Sequence, residues 1–166
     1  MSIEARQLRV VRTAEEARPL KSFCGHCGES PPEGATARIG SRVCDRCGMG
    51  LLLEAAPEIA PTSADAFMVV DARMSVSALS KRCERLLGVA EPDAVGRHLN
   101  EFLAPADTDV PEAQTFYVQV LLAATSGADT TTVAVRPTDE FGIRYWARIG
   151  TCDPSGAALL LIFDME

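Results

Sequence analysis

The sequence predicts two parts in series: a small metal-held β module, then an α+β domain built on a five-stranded antiparallel sheet with flanking helices. Three observations carry this. Two CxxC pairs, Cys24/Cys27 and Cys44/Cys47, stand sixteen residues apart in a stretch rich in Gly and Pro. The pattern changes at Asp65, where strand-length apolar runs and helical stripes begin. From there the order is two strands, a cluster of helices and a three-strand meander.

Composition narrows the class. The chain has 166 residues, room for one ordinary domain or for a small module plus one of about 100 residues. Hydrophobic residues make up 47%, enough for a real core. The net charge of −7 is uneven: residues 1–50 hold eight Lys/Arg against six Asp/Glu, and the remainder eight against seventeen. A chain this acidic is a poor general nucleic-acid binder, so any such contact falls to the N-terminal part. No apolar run approaches the ~18–20 residues that span a bilayer. The longest, "MGLLL" and "AALLLIF", have strand length. The charged N-terminus lacks the apolar stretch of a secretory signal. The expectation is a cytoplasmic protein with no membrane contact. Six cysteines there point to metal or redox use rather than disulfides.

In chain order, residues 1–21 read as a charged, solvated arm. Residues 22–53 are the cysteine segment and end in Leu51, Leu52 and Leu53. Residues 54–64, "EAAPEIAPTSA", read as a linker, with two prolines, small residues and no periodicity. The domain fills 65–166. "AFMVVDA" is a strand. "MSVSALS" alternates, placing Met74, Val76 and Ala78 on one face. Ser80 is set to cap the helix "KRCERLL", which Gly88 ends. "EPDAVGRHLNEFL" reads as one or two short helices, and Pro105 and Pro111 bracket a loop. "EAQTFYVQVLLAATSG" is the longest helix, with Phe116, Val120, Leu121 and Ala124 as its apolar stripe. "DTTTVAVRP", "GIRYWARIG" and "AALLLIFDM" are strands joined at "TDEFG" and "DPSG".

The cysteine spacing has a physical logic. Two thiolates on one tight turn can meet one tetrahedral ion, and Gly28 and Gly48 tolerate the backbone such turns need. Two facing turns complete four ligands. Between them "ARIGSRV" places Ala37, Ile39 and Val43 to suit a strand that pairs back. About 30 residues bury too little surface to fold alone, so a metal would supply folding free energy. The segment resembles a zinc ribbon. The resemblance implies a structural zinc held by Cys24, Cys27, Cys44 and Cys47, with iron as the lesser alternative for the same ligands. A thioredoxin-like dithiol would need one CxxC in a βαβ context that is missing. His26 is not required as a ligand and is expected to cap the turn or face solvent. Arg38, Arg42 and Arg46, with Lys21 ahead, face Glu29, Glu33 and Asp45. Phe23 is the only aromatic among them, so base stacking is not favoured.

Residues 66–103, "AFMVVDARMSVSALSKRCERLLGVAEPDAVGRHLNEFL", resemble the N-terminal half of a PAS domain. Asp71 ends the first strand, Leu86, Leu87 and Gly88 end the helix, and Gly96 and Arg97 precede the next. The long helix and the three strands fit the second half, so the resemblance spans 64–166. Ser80 replaces a frequent asparagine and keeps the capping role. Leu99 stands where the flavin-binding branch has its reactive cysteine, and the long helix lacks the histidine of haem-binding members. His98 is expected to be a cap or surface residue. Cys83 and Cys152 are expected to be half-buried core thiols, and Trp146, Phe102 and Phe116 core residues. PAS cores can open around a small ligand, whose binding residues the sequence leaves unknown.

No catalytic constellation is evident, and Asp71 and Asp164 read as structural or signal-coupling groups. The expected function is non-enzymatic: a signalling or regulatory protein, homodimeric through its PAS domain, with the ribbon as support and protein-contact surface. The alternatives are a regulator associated with DNA or RNA polymerase, or a redox sensor that releases zinc on thiol oxidation.

Overall fold

The central strands are apolar on both faces, and the fold explains why. The computed structural model describes residues 19–32, 42–106, 113–153 and 156–164. Most of the N-terminal arm, and Ala37 and Ile39, lie outside the described residues. The elements are β1 (Lys21–Cys24), β2 (Leu52–Ala55), β3 (Ala66–Val70), β4 (Val76–Leu79), α1 (Lys81–Leu87) and α2 (Glu91–Ala94). A short 3₁₀ turn (Leu99–Glu101) follows, then β5 (Leu103–Pro105), α3 (Ala113–Ser126), β6 (Thr131–Pro137), β7 (Tyr145–Asp153) and β8 (Ala157–Phe163).

Five strands form the expected sheet. Neighbours run β4, β3, β8, β7, β6, and every pair is antiparallel. β3 sends Met68 and Val70 into a core beneath α3 and the short helices, and Phe67 and Val69 into a second core on the opposite face. β8 does the same, with Ala158, Leu160 and Ile162 on one side and Ala157 and Leu159 on the other. A strand buried on both faces loses its polar alternation and reads as a continuous apolar run.

The second core is supplied by the cysteine module. Phe23, Leu53, Ala55 and Ile59 cover Phe67, Val69 and Leu159, and the rings of Phe23 and Phe67 meet edge-to-face at 5.7 Å. The module also extends the sheet. β1 pairs with β2, and Glu54 and Ala55 of β2 pair with Asp153 and Cys152 of β7. β7 is long enough for this because β6 occupies the same edge only from Tyr145 to Ile149. β2 thus covers an end that would otherwise present unpaired backbone groups.

Several expectations change. Residues 54–64, read as a linker, include the end of β2 and Ile59, which is fully buried against Gly150 of β7. Met74, Val76 and Ala78 do not share a face. Val69 pairs with Ala78 but Val70 pairs with Val76, so Ser77 is an extra residue in a β-bulge. The bulge turns both Val76 and Leu79 into the helix-side core and leaves Ala78 beside the other. On α3 the buried stripe is Phe116, Val120, Ala123 and Ala124, and Leu121 is 43% exposed. The helix is apolar nearly all round, so small Ala123 and large Leu121 compete on equal terms in the sequence. Trp146 is only half-buried, whereas Cys83 and Cys152 are fully buried. β5 was not expected; its Pro105 sits at a sheet edge, where a missing N–H is tolerated.

Other local readings match. Ser80 caps α1, accepting from the Cys83 N–H at 3.2 Å and the Phe67 N–H at 2.9 Å, so one hydroxyl joins helix and strand. Gly88 ends α1 with φ 65°. His98 is exposed and caps the 3₁₀ turn reciprocally with Glu101. The Asp71 carboxylate accepts from the N–H groups of Arg73 and Ser75 and closes the β3–β4 turn. No helix among the described residues is long and apolar enough to cross a membrane.

If residues 54–64 are a packed part of the sheet, Ile59→Ala should destabilise the protein by about 2–5 kcal/mol in urea unfolding. A change within about 0.5 kcal/mol, as for a solvated linker, would refute that packing.

Candidate metal centre

Each CxxC pair builds the same turn. The Gly28 N–H donates to the Cys24 carbonyl at 2.9 Å, and the Gly48 N–H to the Cys44 carbonyl at 2.8 Å. The Cys24 N–H returns to Glu29 O, and the Cys44 N–H to Gly50 O. Gly28 and Gly48 take φ 73° and 68°, the left-handed region that favours glycine. Strand pairing brings the turns together: Cys24 lies opposite Leu52, and Val43 forms an isolated bridge with Leu51.

The result is a four-thiol cluster. The sulfurs of Cys24, Cys27, Cys44 and Cys47 all lie within 4.8 Å of one another. Cys24 and Cys47 are 3.6 Å apart, and Cys27 and Cys44 3.9 Å. Metal–sulfur bonds of about 2.3 Å at tetrahedral angles require sulfur–sulfur edges of roughly 3.8 Å, so the cluster fits one ion. Backbone N–H groups also point at the sulfurs, from His26 to Cys24 at 3.4 Å and from Gly50 to Cys47 at 3.4 Å. Such donors disperse thiolate charge. There is no space to spare: a Cβ on Gly50 would fall 2.2 Å from the Cys24 sulfur. One on Gly28 would fall 2.4 Å from the Thr62 carbonyl oxygen, in the segment read as a linker.

The thiols are not equivalent. Cys24 and Cys44 are buried. Burial pushes the Cys24 thiol up to about 12 and raises Cys27 as well. Burial acts on Cys47 too, but the N–H groups of Gly50 and Met49 and the neighbouring thiols outweigh it and hold it near 6. A bound cation would favour the thiolate forms and release protons as it binds. Cys27 and Cys47 are half-exposed and border a groove of about 480 Å³ edged by Arg46, Lys81, Arg82 and Arg85. Among the described residues no other group of side chains is placed to hold a metal. Cys83 and Cys152 stand apart in the two cores, and burial raises both thiols.

His26 departs from the expected cap or solvent position. Its residue is only 6% exposed, and Nδ1 lies 2.6 Å from Glu91 Oε2, at the start of α2. Glu91 Oε1 accepts from the Leu79 N–H at 3.0 Å, and the Glu91 N–H donates to Glu84 Oε1 at 2.7 Å. Sequence reasoning missed Glu91. It stands 65 residues from His26, and nothing in its neighbourhood distinguishes it from an ordinary helix-start acid. Of the basic residues considered for nucleic acid, Arg46 reaches Glu29 at 3.7 Å, and Lys21 and Arg42 are exposed. Arg38 lies outside the described residues.

No family model matches the sequence, and no curated protein matches it. Solved structures similar to it include the PAS domain of an HTR-like protein from Haloarcula marismortui, at 20% identity and TM-score 0.44, covering 62% of this chain and 83% of that one. A PAS domain from Colwellia psychrerythraea matches at 20% identity and TM-score 0.41, over 61% and 86%. The photoactive yellow protein domain of the sensor histidine kinase Ppr from Rhodospirillum centenum matches at 12% identity and TM-score 0.41, over 60% and 84%.

Gly50→Ala should abolish stoichiometric metal retention after gel filtration while leaving the four ligands in place. Full retention by this variant would contradict the cluster geometry.

Proposed function

We propose that the chain is a non-enzymatic regulatory protein. A PAS-type sensor or interaction domain carries on one sheet face a structural zinc ribbon that serves as a protein-contact surface. The observation that carries this reading is the placement of the four-thiol cluster. It sits at the head of the β1–β2 pair, and that pair both extends the sheet at β7 and covers its second face. A closed tetrathiolate site has no open coordination position for substrate, which favours a structural role over a catalytic one. Zinc suits that role because it holds tetrahedral thiolates without changing redox state.

The protein acts as a homodimer through the PAS-type domain. Val118, Leu121 and Leu122 give α3 an exposed apolar strip that a second copy can cover. The signal passes between domain and ribbon and leaves through a partner held at the ribbon surface. Val43, Met49 and Leu51 stand exposed there, beside a groove of about 580 Å³.

Native mass spectrometry of the purified protein tests metal and subunit count together. The expected species is a dimer with one zinc per chain. Iron or no metal would overturn the zinc assignment, and a strict monomer at micromolar concentration would overturn the dimer.

One observation favours a second reading, the redox sensor. Cys27 and Cys47 face the groove rather than the core. Under mild peroxide that reading expects stoichiometric zinc release, whereas a purely structural centre keeps its metal.

A further inference from the structure

We propose that the contact between His26 and Glu91 is a coupling link, through which the metal-ligand turn and the α2 segment set each other's order. The proposal rests on the zinc-ribbon reading above and goes beyond it, since it ties metal occupancy to the conformation of the neighbouring domain.

His26 is held by the metal turn. It lies between ligands Cys24 and Cys27, and its own N–H donates to the Cys24 sulfur at 3.4 Å. Its Cβ would stand 2.8 Å from any Cβ on Gly50, so both turns enclose it. The position of its ring therefore follows the position of the sulfurs.

Glu91 is held by the domain and uses both oxygens. Oε2 meets His26 and Oε1 accepts from Leu79 of β4. Its side chain is 19% exposed, so water competes weakly for these contacts. α2 has only four residues, too few to persist without tertiary support. Beyond it, the Gly96 N–H donates to Val76 O at 2.8 Å and the Val76 N–H to Arg97 O at 2.9 Å, which continues the tie to β4. Ala94 and Leu99, just past the link, are buried in the helix-side core. One carboxylate thus joins the metal turn, the edge strand and the segment that borders that core.

Two consequences follow. When the metal leaves, the turn loosens, His26 withdraws, and Glu91 and α2 lose an anchor. Coupling free energies are reciprocal, so anything that shifts α2, including a molecule entering the helix-side core, changes metal affinity by the same factor.

The test combines metal affinity, by competition with a colorimetric chelator, and hydrogen–deuterium exchange on the full chain. His26→Ala and Glu91→Ala should each weaken zinc binding about tenfold, and the double variant no more than either alone. In the wild type, chelation should speed exchange at Leu79 and across Glu91–Val95. In zinc-loaded His26→Ala those amides should exchange fast already, and chelation should add nothing. Additive losses in the double variant would overturn the link, as would chelation that opens the ribbon amides but leaves α2 protected. Should His26→Ala fail to fold, Glu91→Ala decides alone: it must accelerate exchange at Gly25–Gly28, and unchanged ribbon protection would refute the coupling. Should the purified protein hold no metal, the zinc reading fails separately. Unchanged α2 exchange in His26→Ala would then overturn the link, and faster exchange would sustain it.

Discussion

Four sulfurs within 4.8 Å, two of them on buried residues, are spaced so that one cation could hold them together. Neutral thiols are weak partners for one another, and four thiolates in that space would repel. The rest of the N-terminal module depends on this constraint. The pairing of β1 with β2 brings the two turns face to face, and an ion bound to both would lock that register. β2 can then reach β7, and Phe23 and Ile59 can seat on the far face of the sheet. A segment this small lacks the buried area to achieve such order unaided.

The sheet depends on the module in return. Phe67, Val69, Ala157 and Leu159 are apolar on the face away from the helices. Left bare, they would form a contiguous exposed patch of the kind that soluble monomers avoid. The cysteine module is therefore one layer of three, with helices, sheet and cysteine hairpin stacked in that order. Contacts spread along this interface, from Gly28 against Thr62 to Phe23 against Phe67. A change in either layer is felt by the other because packed interiors do not deform smoothly.

The sequence made legible what is set by neighbours in the chain. The CxxC turns, the Ser80 cap, the Gly88 stop and the order of the domain strands are all local and were all readable. Three features were hidden, each for a stated reason. The bulge at Ser77 slips the register by one residue, and that reverses which side chains face the core without any mark in the pattern. On α3, Val118, Leu121 and Leu122 are exposed while small Ala123 and Ala124 are buried, so the buried stripe is chosen by the shape of the sheet beneath rather than by hydrophobicity. His26 meets a carboxylate 65 residues away, a distance over which periodicity carries no information. The double-sided apolar character of β3 and β8 was in plain view. It signals a covering layer on the second face, which the cysteine module supplies.

The β1–β2–β7 pairing and the shared second core make the four-cysteine module and the sheet one cooperative structure. Cobalt-loaded protein tests it most directly. The thiolate-to-cobalt absorption reports the cluster, and Trp146 on β7 reports the sheet by fluorescence. Followed together through urea unfolding, the two signals should give superimposable transitions with one midpoint, as one cooperative unit requires. A cluster that melts at lower urea while the Trp146 signal stays native would contradict the claim and return the ribbon to the status of an independent appendage.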